Sequence, residues 1–249
     1  MKTFKAIVKQ EILLTLRTPE NIFLGLGFPI GFFLLFSSIW GNDQQLTAEQ
    51  LAVFIRQYMF QMTAFASLSF SFMTLPYAFL EDRTGNRLKN IQHSPVPVWQ
   101  YYLAKIMRVL FLFILAIIGV FLVGHFIKGV NLPSLQDWFI SGGLLFFGAS
   151  CTMPFGILLG FIKSAEKLSI IGNIAYMALA ILGGLWMPVS MFPDIMQKIG
   201  KLTPTYHLNN LVTSYIEKDF STQSLLILVG YAIIVLVIAL AVGKKLEVK

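Results

Sequence analysis

The side chains able to do chemistry in this chain are few and badly placed to do it together. Its three histidines are His93, His125 and His207. They lie far apart, and the topology derived below puts His93 and His207 on opposite sides of a membrane. A common metal site is not expected. The single cysteine, Cys151, sits inside an apolar run, so no intrachain disulfide or cysteine-based metal site can form. The sequence contains no H-E-x-x-H, no G-x-S-x-G and no intramembrane aspartate pair. It also lacks the G-x-x-x-x-G-K-[ST] loop that cradles nucleotide phosphates, so ATP binding by that route is excluded. Gly142-Gly143 and Gly183-Gly184 fall within apolar runs and read as places of close helix packing. What remains is recognition and movement, not catalysis; the chain is expected not to be an enzyme.

The elements that would position such residues are membrane spans. Of 249 residues, 56% are hydrophobic and 12% charged, against about 25% charged in soluble domains. Six long, charge-poor runs lie at roughly 21–40, 58–80, 106–127, 138–162, 168–187 and 224–242. A hydrocarbon core about 30 Å thick asks for about 20 such residues per helix. The first run is long for a signal sequence and no small-x-small site follows it, so it is read as a retained span. Pro154 is expected to kink the fourth span. Little chain is left for a soluble part, so residues 1–249 form one membrane domain.

Charge sets the orientation. Fourteen of the nineteen Lys and Arg residues fall in the N-terminus, the 81–108 segment, the 163–167 link and the C-terminal tail. Cationic loops stay cytoplasmic, which places both termini inside. The net charge of +7 then reflects topology and anionic lipid, and no nucleic-acid partner is expected. Before the first span, Phe4, Ile7, Val8, Ile12 and Leu16 fall at helical spacing among Lys2, Lys5 and Lys9. Residues 1–18 therefore read as an amphipathic helix lying in the headgroup plane, ended by Pro19. The fold class is an all-α polytopic membrane protein with six spans and both ends cytoplasmic.

The span interiors contain essentially no Asp, Glu, Lys or Arg. Arg108, at the start of span three, is expected to snorkel, and His125 to sit at the interface. A proton-coupled carrier would need a buried ionisable group, and none is offered, so energy for transport must come from elsewhere. Two segments are neither spans nor slack loops: 81–102 inside and 188–223 outside. In the first, Glu81 and Asp82 read as the start of a helix, where carboxylates favour the dipole. Leu88 and Ile91 share a face with Arg87, and the helix ends at His93-Ser94-Pro95. A short helix held across the cytoplasmic mouth can fit a groove on a partner and transmit its movement.

These segments resemble the permease subunit of the ABC-2 type transporters. Glu81, Asp82, Gly85, Ser94-Pro95-Val96 and Tyr101-Tyr102-Leu103-Ala104-Lys105 stand where that family's link between spans two and three has its motif. Gly183, Gly184, Pro188, Pro193, Pro204 and Tyr206 match the family's glycine-rich end of span five and its proline-spaced external half-helices. The resemblance implies a pair of permeases, expected to be a homodimer in a bacterial plasma membrane, above two cytoplasmic ATPases. ATP and Mg would be bound by the ATPases; no cofactor is expected on this chain.

The resemblance further implies site roles. Glu81, Asp82, Arg83, Gly85, Arg87, Leu88 and Ile91 would form the main coupling helix seated on the ATPase. Lys163 and Glu166 would supply a second, smaller contact. Residues 1–18 would be the interface helix and 188–223 a re-entrant external segment, and Gly183, Gly184, Pro188, Pro193, Pro204 and Tyr206 would form the external gate. Beside the resemblance, the small-residue, aromatic and Met-rich spans suit an apolar or amphipathic cargo such as a drug, antimicrobial peptide or lipid, with Phe28, Phe32 and Phe36 on span one and Asn173, Tyr176 and Met177 on span five expected to line its path. Two alternatives stand beside this exporter: a polysaccharide or sodium exporter of the same family, and a sensor or scaffold that docks an ATPase without moving cargo.

Overall fold

The structure is a computed structural model and describes residues 2–17, 19–41, 47–85, 87, 91, 93 and 97–247. These residues are helical apart from short connections. The helices are α1 (Lys2–Arg17), α2 (Pro19–Gly41), α3 (Ala48–Ser69), α4 (Leu75–Thr84), α5 (Val98–Lys128), α6 (Leu135–Leu159), α7 (Ala165–Leu182), α8 (Asp194–Gly200), α9 (Pro204–Ile216) and α10 (Thr222–Glu247). A π-helical turn, Phe70–Thr74, joins α3 to α4 without a break, and a 3₁₀ turn, Val189–Met191, precedes α8.

The boundaries follow local chemistry. Thr47 caps α3 reciprocally with Gln50: its hydroxyl accepts the Gln50 N–H, and the Gln50 side chain accepts the Thr47 N–H. Ser134, Ser164 and Thr203 accept backbone N–H groups at the starts of α6, α7 and α9. Gly129 closes α5 in the left-handed region, φ 65°. Pro154 lies inside α6 and Pro29 inside α2.

Among the described residues, five segments are long and apolar enough to cross a membrane: Ala48–Thr84, Val98–Lys128, Leu135–Leu159, Ala165–Leu182 and Thr222–Lys245. Within α2, Gly25–Gly41 forms a shorter apolar helix. The second span differs most from its expected 58–80 extent. Its helix starts ten residues earlier, at the Thr47 cap, and continues past Leu80 through Glu81–Thr84. Hydropathy marks where apolar side chains stop, whereas backbone hydrogen bonding continues until a cap or a breaker intervenes.

That long helix is the centre of the bundle. Its apolar window is 78% buried, against 17% for α10. Met59, Phe60, Phe65 and Leu68 are buried with Phe33 of α2, Val120 of α5, Leu145 of α6 and Leu208 of α9. Buried hydroxyls on α3 stay satisfied by bonding back along the helix: Thr63 Oγ1 donates to Met59 O (2.8 Å) and Ser67 Oγ to Thr63 O (3.0 Å). α1 packs against α5 and α2, and the short helix α9 packs among α3, α6, α7 and α10.

Candidate functional site

α1 turns a polar pair into the bundle. Its most deeply buried residues are the polar Glu11 and Thr15, while Leu13 and Leu16 are exposed. Glu11 is wholly enclosed and meets three cations: Arg87 Nη2 at 3.0 Å, Lys105 Nζ at 3.5 Å and Arg108 Nη1 at 3.5 Å. Asp82 adds a second carboxylate, 2.6 Å from Lys105 Nζ and 3.6 Å from Arg87 Nη1. The Lys105 ammonium also lies 5.2 Å from the Tyr101 ring centroid. One cluster thus joins α1, the end of α4, Arg87 of the following link and the second and third turns of α5. Buried charges are tolerated only when paired, and here two carboxylates serve three cations.

Two sequence expectations are corrected at this cluster. Glu81 and Asp82 do not start a helix; they occupy the last turn of α4. Glu81 is exposed, and Asp82 points inward. A carboxylate near a helix C-terminus opposes the dipole, and the adjacent Lys105 and Arg87 offset that cost. Arg108 does not snorkel. It is largely buried against Glu11, because α5 begins at Val98 and carries Arg108 well inside the helix.

The other link residues take different positions. The half-buried Arg83 donates to the Phe79 carbonyl (3.2 Å) and to that of Gly160, tying α4 to the C-terminal end of α6. Gly85 caps α4, its N–H donating to Glu81 O at 2.8 Å. Ile91 is half-buried, and Leu88 lies outside the described residues. Lys163 and Glu166 are exposed at the start of α7, with Glu166 in the first turn that Ser164 caps. The link around Lys163 and the end of α4 are thus neighbours through Arg83.

Most of the expected path residues fall on one aromatic chain. Phe28 and Phe32 meet edge-to-face with centroids 4.4 Å apart, and Phe32 stacks on Phe36 at 5.6 Å. Phe32 also lies 5.5 Å from Trp186, which lies 5.8 Å from Phe65, which stacks on Tyr176 at 5.0 Å. At the other end Phe36 meets Tyr58 (6.0 Å), Tyr58 stacks on Phe54 (5.8 Å) and Phe54 meets Trp40 (5.2 Å). The chain crosses α2, α3, α7 and the segment after α7. Met177 packs beside it as a half-buried side chain. Asn173 does not join: it is exposed on α7, its amide donating to Ser169 O (2.9 Å). Trp186, Phe65 and Tyr58, which hold the chain together, come from elements whose proximity no sequence periodicity reveals.

The segment after α7 is folded back onto the bundle. Gly183 closes α7, and a Cβ there would overlap the Thr205 hydroxyl, which donates to Leu179 O at 2.6 Å. Gly184 has φ 76°, a conformation open to glycine at little cost. Pro188 precedes the 3₁₀ turn, Pro193 caps α8 and Pro204 is the first residue of α9, where its missing N–H costs no helical bond. Tyr206 is half-buried and its N–H donates to Thr203 Oγ1. The adjacent His207 is buried with its Nδ1 3.0 Å from Ser224 Oγ of α10. Tyr231 of α10 donates to Leu202 O at 2.5 Å.

Two comparisons with known proteins bear on this arrangement. Residues 42–241 match the model of a family described as ABC-2 family transporter protein. Over 238 residues, covering 95% of this chain and 95% of the relative, the sequence is 29% identical to a Bacillus subtilis (strain 168) protein named "Putative transport permease YvfS". The family match covers the link, the segment after α7 and Phe54, Tyr58, Phe65, Tyr176 and Trp186 of the aromatic chain, and leaves α1 and α2 outside.

Proposed function

This chain belongs to the ABC-2 transporter family, and on that premise we propose that it is the membrane subunit of an ATP-driven exporter of apolar or amphipathic cargo. The observation that carries the coupling part is the enclosed ion cluster around Glu11 and Asp82. It joins the amphipathic helix, the end of the central helix and the base of α5 at the place where a partner would push. Moving one of these elements alone would strand a buried charge, at a cost of several kcal/mol. Displacement of the link after α4 is therefore passed to α1 and α5 together.

In this reading α2 is the sixth span, both termini are cytoplasmic, and two ATPases dock beneath a pair of permeases in a bacterial plasma membrane. Glu81 and the segment near Ile91 face the ATPase, as do Lys163 and Glu166. Asp82 and Arg87 act behind them, positioning the link. The exposed Ile170, Ile174 and Ile181 of α7, with Asn173 between them, form the face assigned to the second permease. The aromatic chain from Phe28 to Tyr176 offers apolar, polarisable surface to cargo, and α8 and α9 are the half-helices that close the outer end around Gly183 and Gly184. ATP and Mg bind to the partner ATPase, and this chain performs no catalysis. A polysaccharide would need a more polar route than these rings supply, which favours the apolar cargo class.

Two experiments test the reading. Glu81→Lys is expected to reduce ATP-linked transport about tenfold, the effect of losing about 1.4 kcal/mol at the docking surface, while membrane insertion and thermal stability are unchanged. Transport at the wild-type rate would sink the coupling role of the link. An ATPase that co-purifies with the chain while no cargo moves would instead favour the scaffold reading. Orientation is tested separately. Single cysteines at Thr84, Lys163 and Lys245 should react with an impermeant label only from the inside, and one at Thr222 only from the outside. Labelling of Thr84 from outside would invert the topology.

A further inference from the structure

We propose that the groove between α1 and α5 binds an anionic phospholipid of the cytoplasmic leaflet. The leaflet rests on the orientation proposed above; the lipid class does not. The groove has a volume of about 350 Å³ and is lined by Phe4, Lys5, Val8, Lys9, Ile12, Leu13 and Met107. That volume is within the range of about 300–1,000 Å³ typical of small-molecule sites.

The lining is ordered by the helix. Phe4, Val8 and Ile12 repeat every fourth residue and form one apolar row. Lys5, Lys9 and Leu13 form the adjacent row. Side chains four apart on a helix have Cβ atoms about 5–6 Å apart, so the two ammonium groups can converge on a single phosphate. Among the described residues neither lysine has an ion-pair partner. Glu11, the acidic residue nearest them in α1, faces the other way and is consumed by Arg87, Lys105 and Arg108. The groove therefore offers positive charge and apolar surface side by side, with no carboxylate among its described lining residues.

The occupant follows from that pairing and from what the groove adjoins. On α5 the exposed Trp99, Leu103 and Met107 fall every fourth residue, and the same stripe continues as the exposed Ile114, Ile118 and Leu122. Those three line a second, larger apolar cavity of about 620 Å³ between α5 and α6. The groove is thus the basic end of a continuous apolar surface along a membrane-crossing helix. An acyl chain fits the stripe, and a phosphodiester fits between Lys5 and Lys9. A free anion would leave the Phe4–Val8–Ile12 row unused, and a zwitterionic headgroup would bring its own cation against two lysines. A basic residue near an anionic membrane surface contributes about 1 kcal/mol, so two lysines should favour the anionic lipid about tenfold or more.

The test is lipid retention by the purified full chain in detergent, followed by native mass spectrometry, with phosphatidylglycerol and phosphatidylcholine of matched acyl chains. The wild type should retain phosphatidylglycerol about tenfold more tightly. K5Q/K9Q should abolish the preference, and K5R/K9R should keep it. Equal retention of the two lipids by the wild type would overturn the proposal without recourse to any variant. So would a preference that survives K5Q/K9Q in a protein with unchanged circular dichroism, or displacement of the lipid by inorganic phosphate at equal concentration. The assay involves neither ATPase nor cargo, so its failure and a failure of the transport reading are separate results.

Discussion

Glu11→Ala is expected to be the most damaging single substitution in the chain, lowering stability by about 3–5 kcal/mol, the usual cost of breaking a buried ion pair from one side. The loss comes from what the substitution strands. Glu11 is the ion-pair partner of Arg108 and one of two carboxylates shared by Arg87 and Lys105. Its removal leaves three cations facing Asp82 alone, in a site where Lys105 is 1% exposed. Surface ion pairs are worth about 0–1 kcal/mol, so an effect of that smaller size would show that water reaches the cluster. Denaturant unfolding in detergent measures the difference. The companion variant separates charge from shape: E11A/R108M removes one carboxylate and the cation that depends on it, and leaves the 2.6 Å Lys105–Asp82 pair intact. The double variant should be more stable than the sum of the two single losses by about 1–3 kcal/mol. Strict additivity would mean that Glu11 acts through packing and not through charge.

The cluster also marks where sequence reasoning stopped. Apolar run lengths are a direct consequence of the bilayer as a solvent, and they locate the long helices, although α3 and α5 start well before their expected spans. Helix ends were less legible, because Thr47, Pro97 and Gly129 terminate helices by backbone and capping chemistry that hydropathy ignores. Glu11 had a readable signal. It lies four residues after Ile7 and three after Val8, on the apolar stripe of α1, where a carboxylate has no reason to be unless a cation waits on the other side. Lys105 and Arg108 looked like the basic edge of a span because α5 was expected to begin beside them. Its actual start at Val98 turns both inward.

The aromatic chain divides in the same way. Phe28, Phe32 and Phe36 share one face of α2 by spacing alone, and Tyr176 could be named from its place on span five. Trp186 could not, because it sits in the irregular segment after α7 and its meeting with Phe32 and Phe65 is a tertiary event. The glycine pair nearby was expected inside an apolar run at a close helix contact, and it instead ends α7. Gly184 needs a positive φ and Gly183 admits the Thr205 hydroxyl, and a glycine pair at a helix end signals such demands.

Gly156→Ala should have the second-largest effect, a loss of about 2–3 kcal/mol, at the upper end of ordinary overpacking. At Gly156 a Cβ would overlap the carbonyl oxygen of Ser71. That oxygen belongs to backbone, so no rotamer change can clear it, and α6 must move away from the central helix. The same interface holds the Ser71–Thr152 hydroxyl pair at 2.9 Å and the Phe72–Phe155 stack at 5.7 Å, so separation loosens both. Gly143→Ala is the control. It lies on the same helix with nothing within 4 Å of the added methyl, and the gain in helix propensity of up to about 1 kcal/mol should leave stability equal or slightly raised. Thermal unfolding in detergent compares the two; equal losses would show that α6 tolerates no side chain at either glycine for some reason other than Ser71. The consequence for transport follows from position. Ser71 lies in the π-helical turn between Phe65 of the aromatic chain and Asp82 of the ion cluster, and π-turns inside helices recur at functional sites. Below its unfolding temperature, G156A should therefore still transport less per ATP hydrolysed, because the joint that links the two ends of the central helix no longer seats against α6.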